Sequence, residues 1–270
     1  MKNINFTKTA FIVAKEAAPQ LNKEFNIEEY VEKLDGITSD IAYQINGKSP
    51  KEIIDSLIKY IFYTEDFEGR IDGNFLLNEV LDKKSGNCVG ISTLFIALGE
   101  MLDLPIYGCL TPRHMFVRWD DGKTRINIDP SIDCPRLYEL SDSYYIKEYN
   151  IPETGIYLRN LSKKEVIGCI LNSRGMAFLN IGELERALSD LDKAIEMNPK
   201  FPEAFNNRGI IYLRKDEVDK AIEDFTKAIE MNPNSPETYY NRGRAYLKIG
   251  EMDKVWLDAD KGYNLEREIK

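Results

Sequence analysis

Pro202-Glu-Ala-Phe-Asn-Asn-Arg-Gly-Ile-Ile-Tyr-Leu-Arg-Lys-Asp-Glu-Val-Asp-Lys-Ala-Ile-Glu-Asp-Phe-Thr-Lys-Ala-Ile-Glu-Met-Asn-Pro-Asn-Ser235 is one period of a repeated pattern, and it decides the fold of the last third of the chain. Arg174, Arg208 and Arg242 stand 34 residues apart, as do Gly175, Gly209 and Gly243. Phe178, Tyr212 and Tyr246 keep step with them. Ala187 and Ala221 recur, with Val255 in the third copy, and Ala194 and Ala228 recur, with Gly262. A fixed period of this length marks a stacked architecture in which each unit is a pair of antiparallel helices. Gly209, Ala221 and Ala228 let helix backbones approach, and Phe205, Tyr212 and Phe225 fill the space beside them. Pro199 and Pro233 cannot continue a helix and so close the first two units.

These positions resemble tetratricopeptide repeats, over roughly 168–201, 202–235 and 236–269. The first copy has Leu171 where an aromatic often sits, and the third lacks the closing proline and carries Trp256 and Tyr263. An atypical last unit is expected to cap the stack against water. The resemblance implies a groove, formed by the first helix of each pair, that holds an extended or helical peptide. Its candidate lining is Asn172, Met176, Asn206, Ile210, Arg214, Tyr240, Arg244 and Lys248. The other reading is that the array packs on the preceding domain or on itself. The Asn207–Gly209 and Asn241–Gly243 runs read as repeat consensus, not as a ligand code.

Upstream, residues 1–66 read mostly as helix. Asn26-Ile-Glu-Glu29 and Ser49-Pro-Lys-Glu52 each set a capping residue three before a glutamate, and Pro50 suits a first turn. Ile53, Ile54, Leu57, Ile58 and Ile61 follow at helical spacing and read as core. Asn74-Phe-Leu-Leu-Asn-Glu-Val-Leu81 has a helical pattern, interrupted by a loop at Lys83-Lys-Ser-Gly-Asn87. A largely apolar helix then runs over 88–102, with Cys88 in its first turn. Strand-like runs follow at 106–110, 115–119 and 125–128, with Asp120-Asp-Gly122 as a hairpin signal.

His114 is the only histidine of the chain. Any cysteine–imidazole chemistry must therefore use it. Asp129 ends the next strand, so a hairpin can bring it beside His114. Cys88, His114 and Asp129 form a candidate nucleophile, base and orienting acid. Each residue alone reads more readily as core or as a satisfied structural group, because free cysteine is among the most buried residue types.

Gly86-Asn-Cys88 at a helix start, His114-Met-Phe-Val-Arg-Trp119 as a strand and Asn127-Ile-Asp-Pro130 after the next are similar to the transglutaminase-like superfamily, over roughly residues 60–135. That resemblance implies a papain-type arrangement, with a cysteine-bearing helix against a small antiparallel sheet. Asn74 to Leu81 and Pro112-Arg-His-Met115 further resemble a bacterial branch often joined to tetratricopeptide repeats, whose members commonly lack the cysteine. This chain keeps Cys88, His114 and Asp129 together. The chemistry would be attack on an amide or thioester carbonyl, with backbone N–H groups near Cys88, and the side chain of Asn74, as candidate oxyanion donors. Water as acceptor makes a hydrolase and an amine makes an acyltransferase; a silent interaction scaffold is the rival reading.

The whole-chain numbers agree with this division. A chain of 270 residues has room for two domains, and 43% hydrophobic with 11% aromatic residues is a globular composition. A net charge of −9 argues against nucleic acid as partner, leaving a protein or peptide. No run approaches the ~20 apolar residues of a membrane span. The apolar patch at 10–14, flanked by Lys8, Lys15 and Glu16, is too short and too charged for a signal peptide. Cys88, Cys109, Cys134 and Cys169 are spread without disulfide-framework spacing, which reads as reduced thiols in the cytoplasm. Cys109, His114 and Cys134 could converge on a metal, but no Cys-x-x-Cys pair and no fourth ligand accompany them. No glycine-rich phosphate loop follows a strand, so neither cofactor nor metal is expected. The expected fold is α+β: a transglutaminase-like domain of helices with a small antiparallel sheet at 1–150, a connector at 151–167, and an all-α repeat domain at 168–270.

Overall fold

Cap chemistry sets the first helices. The computed structural model describes residues 5–18, 20–21, 23–70, 73–129 and 141–268. Asn5 caps α1 (Phe6–Glu16) by accepting the Lys8 N–H, and Asn26 caps α2 (Ile27–Ile45) through the Glu28 N–H. α3 (Pro50–Ile58) opens on a capping box in which Glu52 accepts the Ser49 N–H at 2.9 Å, and it runs on as a π-helical turn, Lys59–Thr64. Ile54, Leu57, Ile58 and Ile61 of this stretch are buried.

The segment after it differs from the sequence expectation. Helix α4 spans Leu77–Lys83, so Asn74, Phe75 and Leu76 are not helical. The loop before Cys88 contains a two-residue strand, β2 (Ser85–Gly86), parallel to β1 (Glu68–Gly69). The physical reason is Asn74: its carbonyl accepts the Asn87 N–H at 2.9 Å and its side-chain amide donates to the Ser85 carbonyl at 3.1 Å. Those bonds hold residue 74 outside a helix and fold the chain back toward the start of α5 (Cys88–Met101).

α5 is the central element. It is buried from Gly90 to Gly99 and packs on strand β4. The sheet has the order β3 (Ile106–Thr111), β4 (His114–Asp120), β5 (Arg125–Ile128). β4 and β5 are antiparallel, pairing Val117 with Ile128 and Arg118 with Asn127. Their turn is fixed by Asp121, whose Oδ1 accepts the Lys123 and Thr124 N–H groups, and by Gly122 at φ +81°. Met115, Phe116, Val117, Trp119 and Ile128 are buried.

Three helix pairs follow: α6 (Asp142–Glu148) leads to α7 (Lys163–Asn180) with α8 (Leu184–Met197), α9 (Pro202–Arg214) with α10 (Val218–Met231), and α11 (Pro236–Lys248) with α12 (Met252–Glu268). By internal contacts the chain forms two compact units. One comprises Met1–Leu110, His114–Ser141 and Asn160–Ile170; the other comprises Thr111–Arg113, Asp142–Arg159 and Leu171–Lys270. A Cβ at Gly209 would lie 2.7 Å from the Phe225 ring, and one at Gly262 would lie 2.8 Å from the Tyr240 ring, so the close approach needs glycine there.

The repeat arginines have a structural task. Arg174, Arg208 and Arg242 each make two hydrogen bonds, through Nε and Nη2, to an aspartate 16 residues on: Asp190, Asp224 and Asp258. This two-pronged geometry suits a guanidinium with a carboxylate, and it ties the two helices of each pair.

Candidate active site

Two elements deliver the site. Cys88 is the first residue of α5, fixed by Asn87 at the N-cap, whose side chain accepts the Gly90 N–H at 3.0 Å. Gly90 is required by this geometry: a Cβ there would fall 2.1 Å from the Asn74 carbonyl oxygen. His114 is the first residue of β4. Extending the β4–β5 register one step beyond Val117–Ile128 sets Asp129 opposite Phe116, diagonal to His114 on the same face.

The contacts follow from this placement. His114 Nε2 lies 2.9 Å from Asp129 Oδ2, and the pair is largely buried, at 9% and 13% exposure. The ring's other nitrogen, Nδ1, is left for Cys88, with which His114 is hydrogen-bonded. Cys88 itself is half-buried.

The electrostatics of the pair run against burial. Burial alone pushes the Cys88 thiol up and the imidazole down, because each would lose hydration of its charged form. For Cys88 that is outweighed by the hydrogen bond and charge of His114, helped by main-chain hydrogen bonds from Met115 and Val89, so the thiol is held below its ordinary range. For His114 the Asp129 carboxylate and the sulfur outweigh it and raise the imidazole to about 9. Both shifts favour the state with the proton on the imidazole and the negative charge on sulfur. Cys88 also sits at a helix N-terminus, whose partial positive charge acts in the same direction.

The remaining candidates sit elsewhere. Asn74 directs its side-chain amide to Ser85, while its Oδ1 accepts from Lys83 Nζ at 3.2 Å; its part here is to shape the loop before Cys88. Cys109 is buried in β3, with Sγ 3.8 Å from Asn160 Oδ1, and Cys169 bonds to the Glu165 carbonyl in α7. Cys134 and Pro130 lie outside the described residues.

In the repeat unit, Asn172 and Asn206 are rungs of a side-chain ladder. Asn172 Oδ1 accepts from Asn207 at 2.9 Å, and Asn206 Oδ1 accepts from Asn241 at 3.0 Å. Both also line a cavity of about 240 Å³, with Arg113, Glu203, Asn234 and Thr238. Arg214 and Lys248 reach back to the Leu179 and Leu213 carbonyls, and Lys248 also pairs with Asp216. Ile210 packs against the Ala221, Phe225 and Ala245 cluster, and Tyr240 lies over Gly262. Met176 is half-buried and Arg244 is exposed.

Sequence reading missed Glu203. Burial raises its carboxyl, which accepts from the Tyr157 hydroxyl at 2.9 Å and the Arg113 N–H at 3.3 Å, while Oε2 is buried without a partner. It also missed Asp190, Asp224 and Asp258, although their own 34-residue period was a readable signal.

The site thus sets a cysteine at a helix start beside an imidazole and a carboxylate carried by a small antiparallel sheet and its end. The chain belongs to the transglutaminase-like superfamily, whose family model matches residues 28–172, and tetratricopeptide-repeat models match 175–216, 202–235 and 225–255. Among curated proteins it is similar to UPF0162 proteins of two Xylella fastidiosa strains. It is 24% identical to that of strain 9a5c and 23% to that of strain Temecula1 / ATCC 700964, each match covering 73% of both chains. Similar solved structures include the first TPR of Spaghetti (RPAP3) bound to an HSP90 peptide, at 22% identity, 37% of this chain, 80% of that chain and a TM-score of 0.37. MamA is similar at 26% identity, 39% of this chain, 68% of that one and a TM-score of 0.37. Among the described residues no helix is long and apolar enough to cross a membrane.

Proposed function

We propose that this protein is a cysteine hydrolase or acyltransferase acting on protein or peptide amides, with Cys88 as nucleophile, His114 as base and acid, and Asp129 as the group that orients the imidazole. The observation that carries the reading is the arrangement: Cys88 at the start of α5 is hydrogen-bonded to His114, whose Nε2 lies 2.9 Å from Asp129 Oδ2, and the lowered thiol and raised imidazole agree with it. The thiolate attacks the carbonyl carbon, forming a C–S bond. As the C–N bond breaks, the His114 proton passes to the departing amine, leaving an acyl-thioester on Cys88. His114 then takes a proton from water, or from an acceptor amine, which attacks the thioester and frees the sulfur. The Cys88 N–H, at the start of α5 where no intrahelical carbonyl reaches it, is the donor we assign to the oxyanion. The repeats hold the partner or substrate segment, and the asparagine-lined cavity supports that role because paired carboxamide donors and acceptors suit an extended backbone. A cytoplasmic location fits the spread of Cys88, Cys109, Cys134 and Cys169 along the chain, which has no disulfide-framework spacing.

The test is to incubate the protein with a peptidyl thioester and look by intact mass for an acyl group on Cys88, then add water alone or a primary amine. An adduct that is absent in Cys88→Ala, slowed at least 100-fold in His114→Ala, and released by one acceptor supports the reading and names the reaction. No adduct, or one indifferent to His114, leaves an interaction scaffold with a structural remnant of the cleft.

A further inference from the structure

The third repeat leaves open the face that the first two cover. One stripe of the second helix of each pair, at spacing i, i+4, i+8 and i+11, reads Leu184, Leu188, Asp192, Ile195 in α8 and Val218, Ile222, Thr226, Ile229 in α10. Its apolar members are half-buried in both. In α12 the same stripe reads Met252, Trp256, Asp260, Tyr263, and there the apolar side chains stand 46%, 69% and 55% exposed. Leu247, equivalent to the buried Leu179, is also exposed. The outer face of the third repeat thus keeps the apolar chemistry of an internal one.

What covers this stripe in the first two repeats is the first helix of the next, α9 on α8 and α11 on α10. Each covering helix brings the same three groups. Arg208 Nη1 donates to Asp192 at 2.7 Å and Arg242 Nη1 to Thr226 at 3.2 Å. Three residues on, Ile211 and Ala245 are fully buried. Six residues on, Arg214 and Lys248 reach the carbonyls of Leu179 and Leu213. The occupant of this face is therefore a helix with two cations six residues apart and an apolar residue midway. On α12 the acceptor at the first cation's position is Asp260, an exposed carboxylate that accepts from Asn264 of its own helix.

We propose that the α11–α12 face is a docking site for a basic amphipathic helix of a partner protein, seated in the register that α9 and α11 take on the repeats before them. Charge favours such a partner, because the chain carries a net −9 and the face presents Asp260 within its apolar stripe. A second copy of this chain fits less well. Its α7 has Asn180 where the second cation belongs, and its Arg174 is buried against Asp190. Trp256 anchors the surface, as large aromatic side chains at interface centres do.

The probe is α11 itself, a synthetic peptide of residues 236–248 stapled between positions 237 and 244. Both positions are exposed in the structure, and the staple makes the peptide helical in solution, which circular dichroism checks. Trp256 is one of two tryptophans and Trp119 is buried, so the emission difference between wild type and Trp256→Phe reads the face directly. The expected result is a saturable blue shift, weakened at least five-fold when the peptide carries Arg242→Glu and recovered when that peptide meets Asp260→Lys protein. No saturable shift at millimolar peptide, or a shift indifferent to both charge changes, overturns the proposal. A blue shift that grows with protein concentration alone, with dimers in sedimentation, overturns it in favour of a second copy. None of these readouts depends on Cys88, so failure here is separate from failure of the proposed catalysis.

Discussion

Replacing Asp129 by asparagine removes one charge from the site while leaving an oxygen able to accept from His114 Nε2. The structure sets the size of the effect. The two groups meet at 2.9 Å with both side chains largely buried. Unit charges about 4 Å apart at an effective dielectric near 20 attract by about 4 kcal/mol, and about 1.4 kcal/mol corresponds to one pH unit. That ratio is an upper bound of about three pH units; the whole rise from 6.5 to about 9 is shared with Cys88, so a fall of about two pH units is expected. Because His114 is the only histidine, heteronuclear NMR of the imidazole gives a single signal to follow against pH. A wild-type midpoint near the ordinary 6.5 or so, or a midpoint that Asp129→Asn leaves in place, would refute the electrostatic reasoning.

Three further outcomes are expected. Asp224→Ala leaves Arg208 half-buried with only the exposed Asp192, so urea denaturation should show a loss of about 3 kcal/mol, whereas Asp192→Ala, at 50% side-chain exposure, should cost under about 1 kcal/mol. Gly90→Ala drives a Cβ onto the Asn74 carbonyl, so it should lower the thermal midpoint by several degrees and slow Cys88 labelling by an order of magnitude or more. His114 is raised from 6.5 to about 9 on folding, so its contribution to stability is whole below about pH 6.5, falls as pH rises and is gone above about pH 9. The difference in denaturation midpoint between Cys88→Ala and Cys88→Ala/His114→Gln should shrink as pH rises above about 6.5 and close before about pH 9, because the sulfur that helps raise His114 is gone; a difference that is flat or grows with pH contradicts the sign.

Much of the fold was legible because local chemistry and tertiary packing agree. The 34-residue period, the caps at Asn26 and Ser49 and the Asp121–Gly122 turn each specify local structure without help from afar. The candidate triad could be named because one histidine left one choice. What could not be read rests on long-range bonds. The late start of α4 depends on Asn74 bonding to Ser85 and Asn87, and the need for Gly90 arises from a carbonyl 16 residues earlier in the chain. The 34-residue pattern marked the groove positions, but it could not tell that Asn172, Asn206 and Lys248 already serve neighbouring repeats. Glu203 escaped notice because a glutamate in a first helical turn ordinarily faces water.

The rate of iodoacetamide alkylation at Cys88 against pH, read by peptide mass in wild type and His114→Ala, tests the thiolate–imidazolium pair most directly. A lowered thiol predicts rapid labelling already below about pH 7 in wild type, lost in His114→Ala, where the hydrogen bond and charge of the imidazole no longer oppose burial. Slow labelling with a midpoint near about 8.5, the same with and without His114, would contradict it.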